Sequence, residues 1–119
     1  MKLIVLLCLA AAACAEKPGR WQSFTATAYS VEGETSSGKQ TREGRTVAAD
    51  HSVLPVGTRI EVQDAGPYSG EYIVQDSGPK IRGREIDIFI DNPAEAKKFG
   101  KKTVRVRVLA KPKQEAAKR

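Results

Sequence analysis

A chain of 119 residues argues for one domain with a modest core. Twenty Lys and Arg against fourteen Asp and Glu give a formal net charge of +6, a balance that suits a polyanionic partner or a solvated basic surface and selects neither. The only cysteines, Cys8 and Cys14, fall in the N-terminal leader, so cysteine catalysis, disulfides and cysteine metal sites are not expected of the remainder.

The leader opens on Lys2 and an apolar run from Leu3 to Ala13, 11 residues that are too few to span a bilayer as a helix. It reads as an export signal with a minimal basic region. Two processing routes fit. Ala13-Cys14-Ala15 has the small residues for ordinary cleavage, giving a signal peptide over 1–15. Ala11-Ala12-Ala13-Cys14 resembles a bacterial lipoprotein site, giving a signal over 1–13 and a lipid on Cys14. Residues 16–22, with Pro18-Gly19, read as a polar tether.

From Ser23 the pattern turns to β. Phe24, Ala26 and Ala28 alternate up to about Ser30, and Val31 to Arg45 is a long loop rich in Gly, Ser, Thr and charge. Thr46-Val47-Ala48-Ala49 is a short apolar strand, followed by a turn through Leu54-Pro55-Val56-Gly57. Arg59 to Val62 alternates as a strand, Asp64 to Gly70 is a turn, and Glu71 to Gln75 is the next strand. Ser77 to Arg84 is a loop and Glu85 to Ile90 a strand. Asn92 caps a predicted helix that takes Pro93 in its first turn and stops at Gly100. Thr103 to Leu109 alternates most clearly, with Val104, Val106 and Val108 predicted inward and Arg105 and Arg107 outward. Residues 111–119 form a charged tail. Six short strands and one or two short helices make an all-β domain over 23–110. An open sheet, a sandwich and a small barrel all fit, and a barrel has the merit of leaving no sheet edge.

Three carboxylates stand beside or within apolar β runs: Asp50 in VAAD, Asp76 in YIVQD and Asp87 in REIDIFI. A charge near a core is costly unless it is hydrogen-bonded or used. Ile86 and Ile88 share one face of their strand, and Asp87 points the other way with Glu85 and Phe89. In a closed groove, burial and like-charged neighbours raise such an acid toward the range of a general acid; on a solvated face it stays ordinary. Asp76 and Asp50 also suit plain turns. His51, the single histidine, joins the polar cluster. No metal-ligand spacing, GxxxxGK[ST] or GxGxxG stretch is present. Arg42, Arg45, Arg82 and Arg84 can contact anions, and Trp21, Tyr29, Tyr68, Tyr72 and Phe89 can stack on ring faces. Their charge is dispersed, and an export signal argues against nucleic acid as the partner.

In series these pieces resemble the 3D domain, a family named for three aspartates and found in bacterial cell-wall proteins. ATAYS at Ala26 to Ser30, Thr35-Ser36-Ser37-Gly38, REGRTVAAD ending at Asp50, VLPVGTRIEV over 53–62, VQDSGPKIRGREIDIFI and the segment from Asn92 to Leu109 follow its order. The resemblance implies a six-stranded double-psi β-barrel, related to the membrane-bound lytic transglycosylase A and rare lipoprotein A-like groups. It implies an enzyme without a cofactor or metal, acting as a monomer on peptidoglycan glycan strands in the periplasm or envelope. Asp87 takes the place of the catalytic acid/base, with Asp76 and Asp50 as supporting carboxylates. Tyr29, Thr35, Gly38, His51, Ser77, Gly78 and Lys80 fall at positions that border the sugar. His51 and Asp87 also match the histidine and aspartate of the rare lipoprotein A group, so a water-using hydrolase and a non-catalytic wall-binding module remain alternatives. This chain departs from the pattern at Ser77-Gly78-Pro79, where Thr-Gly-Gly is usual, and at Ala49, where valine is common. Pro79 removes a backbone N–H from the loop.

Overall fold

The computed structural model describes residues 17–30, 45–78 and 80–112. The predicted leader with Cys14, the loop with Thr35 and Gly38, Pro79 and the tail beyond residue 112 lie outside the described residues.

Six strands follow the apolar periodicity closely: β1 Gln22–Tyr29, β2 Thr46–Ala49, β3 Arg59–Gln63, β4 Gly70–Asp76, β5 Glu85–Phe89 and β6 Lys102–Ala110. Among the described residues one α-helix, α1 Pro93–Phe99, precedes β6. The strands close into a six-stranded double-psi barrel in the order β1-β5-β2-β4-β3-β6. The β1/β5 and β2/β4 pairs are parallel and the remaining pairs antiparallel. All four residues of β2 are buried, because a strand covered on both faces has no use for alternation.

Inward residues of every strand meet in one core that includes Phe24, Ala26, Val47, Ile60, Val62, Val74, Ile86, Ile88, Val104 and Val106. Val108 packs against it part-buried. Arg105 and Arg107 face outward: Arg105 Nε bonds Asp64 Oδ2 at 2.8 Å, and an Arg107 amine bonds Glu61 Oε1 at 2.8 Å. Both guanidiniums lie over the Trp21 ring, so Trp21 and its pair of arginines cover the β3–β6 wall.

The helix forms where its punctuation places it. Asn92 Oδ1 accepts from the N–H groups of Ala94 and Glu95, Pro93 occupies the first turn, and Gly100 ends the helix at φ 68°. Ala96 and Phe99 bury the inner face. The expected turn between β3 and β4 contains a single 3₁₀ turn, Gly66–Tyr68.

Candidate functional site

The wall formed by β1, β5, β2 and β4 carries the predicted acids, and its register explains how. Thr27 pairs with Asp87, Asp87 with Ala48, and Ala48 with Asp76. Residues paired across neighbouring strands project from the same face. Ile86 and Ile88 on the other face enter the core, so this row lies on the outside of the barrel. Two strand spacings put the Cα atoms of Asp87 and Asp76 about 10 Å apart. In that row Ala48 stands between them.

A bulge puts Asp76 in that row. Val47 pairs with Val74, but Ala48 pairs with Asp76, leaving Gln75 as an extra residue on β4. Gln75 is buried, and its amide oxygen accepts from the Thr46 hydroxyl. Asp76 is therefore the last residue of its strand, where the alternation alone ends the strand one residue earlier. Its Oδ1 accepts from the Ser77 N–H at 2.9 Å.

Asp87 is half-buried and accepts a 2.9 Å bond from Thr27 Oγ1. Burial pushes its carboxyl above the ordinary aspartate range, and the Thr27 bond partly opposes that shift. The like-charge effect expected here falls instead on Tyr29. Burial, then Asp76, then Asp87 push the Tyr29 phenol up to about 12. Tyr29 thus keeps its proton at any physiological pH. Its ring meets Phe89 edge-on at 5.5 Å, and its buried Oη has no hydrogen-bond partner among the described residues.

Asp50 behaves differently. Its Oδ1 accepts from Ser52 N at 3.0 Å and Ser52 Oγ at 2.7 Å, and Oδ2 accepts from Gly83 N at 2.8 Å. The Gly83 bond, followed by the Ser52 bonds, lowers its pKa to about 2. This carboxylate ties the end of β2 to the β4–β5 loop, and Gly83 reaches it at φ 66°, which favours glycine. The tie is complete above the unfolded-state pKa of about 3.9 and is lost as pH falls through about 2. Asp50→Ala is expected to leave the Gly83 amide exchanging with solvent much faster, as read by amide hydrogen exchange. Unchanged Gly83 protection speaks against the tie.

Two recesses flank Ile81 of that loop. One, about 220 Å³, holds Asp87 with Thr27, Glu85, Lys80 and Lys101. The other, about 350 Å³, holds Asp50, His51, Ser77, Gly78 and Arg82. A third hollow of similar size, between Arg45, Arg59 and Glu71, holds none of the three aspartates. Of the predicted residues, Asp87 and Lys80 line the first recess and Asp50, His51, Ser77 and Gly78 the second, while Asp76 and Tyr29 line neither. Thr27 and Lys101 were not singled out from the sequence. Thr27 reads locally as one more outward threonine, and Lys101 as part of the helix exit.

The 3D domain family model matches residues 45–110. YabE of Bacillus subtilis (strain 168), a protein named for cell wall shaping, is 30% identical over 102 residues, covering 79% of this chain and 24% of YabE. The cell wall-binding protein YocH of the same organism is 33% identical over 95 residues, covering 73% and 32%. The chain spans about a quarter of the first relative and a third of the second. Among solved structures, MltA from Escherichia coli, described as a lytic transglycosylase fold, superposes with a TM-score of 0.57 at 24% identity, over 70% of this chain and 29% of MltA. The same protein with bound chitohexaose gives a TM-score of 0.58 at 22% identity over the same shares. The likeness to MltA is one of fold.

Proposed function

The chain belongs to the 3D-domain family, and on that premise we propose that it is an exported peptidoglycan lytic transglycosylase. The bond cleaved is the β-1,4 link from N-acetylmuramic acid to N-acetylglucosamine, and the muramyl product closes a 1,6-anhydro ring. The observation that carries this reading is Asp87: a half-buried carboxyl with a raised pKa, beside a recess, in line with a second carboxylate.

The chemistry needs few groups. Protonated Asp87 donates its proton to the glycosidic oxygen as the bond to the muramyl anomeric carbon breaks, releasing the N-acetylglucosamine 4-hydroxyl. The muramyl 6-hydroxyl attacks that carbon from within the same sugar, and its proton passes to the Asp87 carboxylate, restoring the acid. Ordinary glycosidases place a second carboxylate to activate water or attack the sugar. A tethered hydroxyl removes that requirement. Thr27 holds Asp87 in position. Asp76, across Ala48, faces the positive charge that builds on the sugar, and Tyr29 supplies a neutral hydroxyl to it. Asp50 acts through the loop that it ties.

Export by the leader over 1–15, or anchoring through a lipid on Cys14 after cleavage of 1–13, belongs to the same proposal and places the protein against the wall. A second reading, a wall-binding module without catalysis, draws support from the likeness to the cell wall-binding YocH. Digestion of purified glycan strands, followed by mass analysis of the sugar ends, separates the readings. Anhydro ends are expected. Hydrolytic reducing ends point to water activated with the help of His51, and retention on insoluble wall without cleavage points to the binding module.

A further inference from the structure

The cations of this barrel are not all in the same state. Arg59, Arg105 and Arg107 on the β3, β6 wall each have a carboxylate partner, Glu71, Asp64 and Glu61 respectively. Their field is cancelled where it arises. Lys80 and Lys101 line the Asp87 recess, and neither has a hydrogen bond or ion pair among the described residues. Lys80 comes from the β4–β5 loop. Lys101 stands just before β6, whose Lys102 pairs with Ala26 of β1, so barrel closure brings it beside Thr27.

The acids of the same recess are engaged. Glu85 Oε1 accepts from the Arg82 N–H at 3.1 Å, and Asp87 accepts from Thr27. When Asp87 carries its proton, two lysines face one carboxylate, Glu85. A neutral sugar entering such a recess strips water from an uncompensated positive charge. A sugar bearing a carboxylate supplies the missing partner.

We propose that Lys80 and Lys101 make the Asp87 recess selective for glycan whose sugar carries a carboxylate, that is, the acid on the 3-substituent of a muramyl residue. This rests on the reading of the recess as a glycan site and adds to it a residue-level basis for choosing muramyl over neutral N-acetylglucosamine chains. The carboxylate has two sources, the free lactyl group of denuded strands and the acids of a stem peptide.

The test is binding, so it does not depend on turnover. The full chain is titrated, with amide chemical shifts as readout, with four probes: denuded glycan strands, the same strands with carboxylates capped as methylamides, strands that keep their stem peptides, and chitohexaose. Free-carboxylate strands are expected to bind about tenfold tighter than capped strands or chitohexaose, the scale of two partly exposed charge pairs. High salt should erode that preference. The Lys80→Gln, Lys101→Gln double variant should bind all probes within about twofold of one another, and Lys101→Arg should keep the preference, which a merely structural lysine does not explain. Tighter binding of stem-bearing than denuded strands assigns the carboxylate to the peptide, and the reverse assigns it to the lactyl group. Equal binding of free and capped strands, or a preference that survives the double variant, overturns the inference and leaves the glycan site standing. Failure of every probe to bind overturns both.

Discussion

Asp87→Asn is expected to reduce the release of anhydro-ended products by about 10²- to 10⁴-fold, the usual weight of a general acid, while the barrel melts at the same temperature or higher at neutral pH. The two halves of this result have one cause. Burial disfavours the Asp87 anion, so its pKa is higher folded than unfolded. Below the unfolded value of about 3.9 both states hold the proton and there is no penalty. As pH rises from there through the raised native value, the unfolded chain releases the proton first and stability falls. Asparagine removes that penalty and keeps a carbonyl oxygen for the Thr27 hydroxyl. Thermal melts of both proteins from pH 3 to pH 8, with product analysis by mass, test it. Parent activity should also decline as pH rises through the Asp87 pKa, because only the acid form can donate. A variant that loses activity and stability together indicates that Asp87 serves the fold, and one that keeps activity removes it from the mechanism.

That opposition between function and stability is legible in part from the chain itself. REIDIFI already shows Ile86 and Ile88 on one face with Asp87 on the other, since a strand repeats every two residues. TVRVRVL and the Asn92, Pro93, Gly100 punctuation map directly onto β6 and α1. Local period does not carry contacts made at long range. The Thr27 bond to Asp87 joins residues 60 positions apart, and the Gly83 bond to Asp50 joins residues 33 apart. Neither partner has an unusual local setting. The bulge at Gln75 escapes for a different reason: a single extra residue inside an apolar run leaves the alternation on either side intact while it changes which neighbour the next side chain meets. The apolar runs beside Asp50, Asp76 and Asp87 group the three aspartates as one set, and the family resemblance gives that set its roles. The fold divides them, with Asp87 and Asp76 in one row and Asp50 holding the loop.

Ile88→Ala, one position along the same strand, is expected to do the reverse of Asp87→Asn. Ile88 has 0% exposure and pairs with Ala28 on one side and Val47 on the other. Removing three carbons from such a site costs about 2–5 kcal/mol, because the transfer term is lost and the surrounding strands cannot collapse into the space. A closed barrel restrains that collapse further, since β5 is hydrogen-bonded along both edges. Small domains hold roughly 5–15 kcal/mol in total, so the loss is a large share of it. Each kcal/mol lowers the melting point of a domain of this size by about 4–8 °C. Ile88→Val, which keeps most of the volume, should cost about 0.5–1.5 kcal/mol. Urea unfolding of the three proteins gives the series directly. At temperatures where Ile88→Ala is still folded, its cleavage per folded molecule should stay near the parent value, because the missing carbons face the core and the Asp87 recess lies outside it. A stable Ile88→Ala protein with low activity shows instead that the core side of β5 sets the position of Asp87 more tightly than its stability.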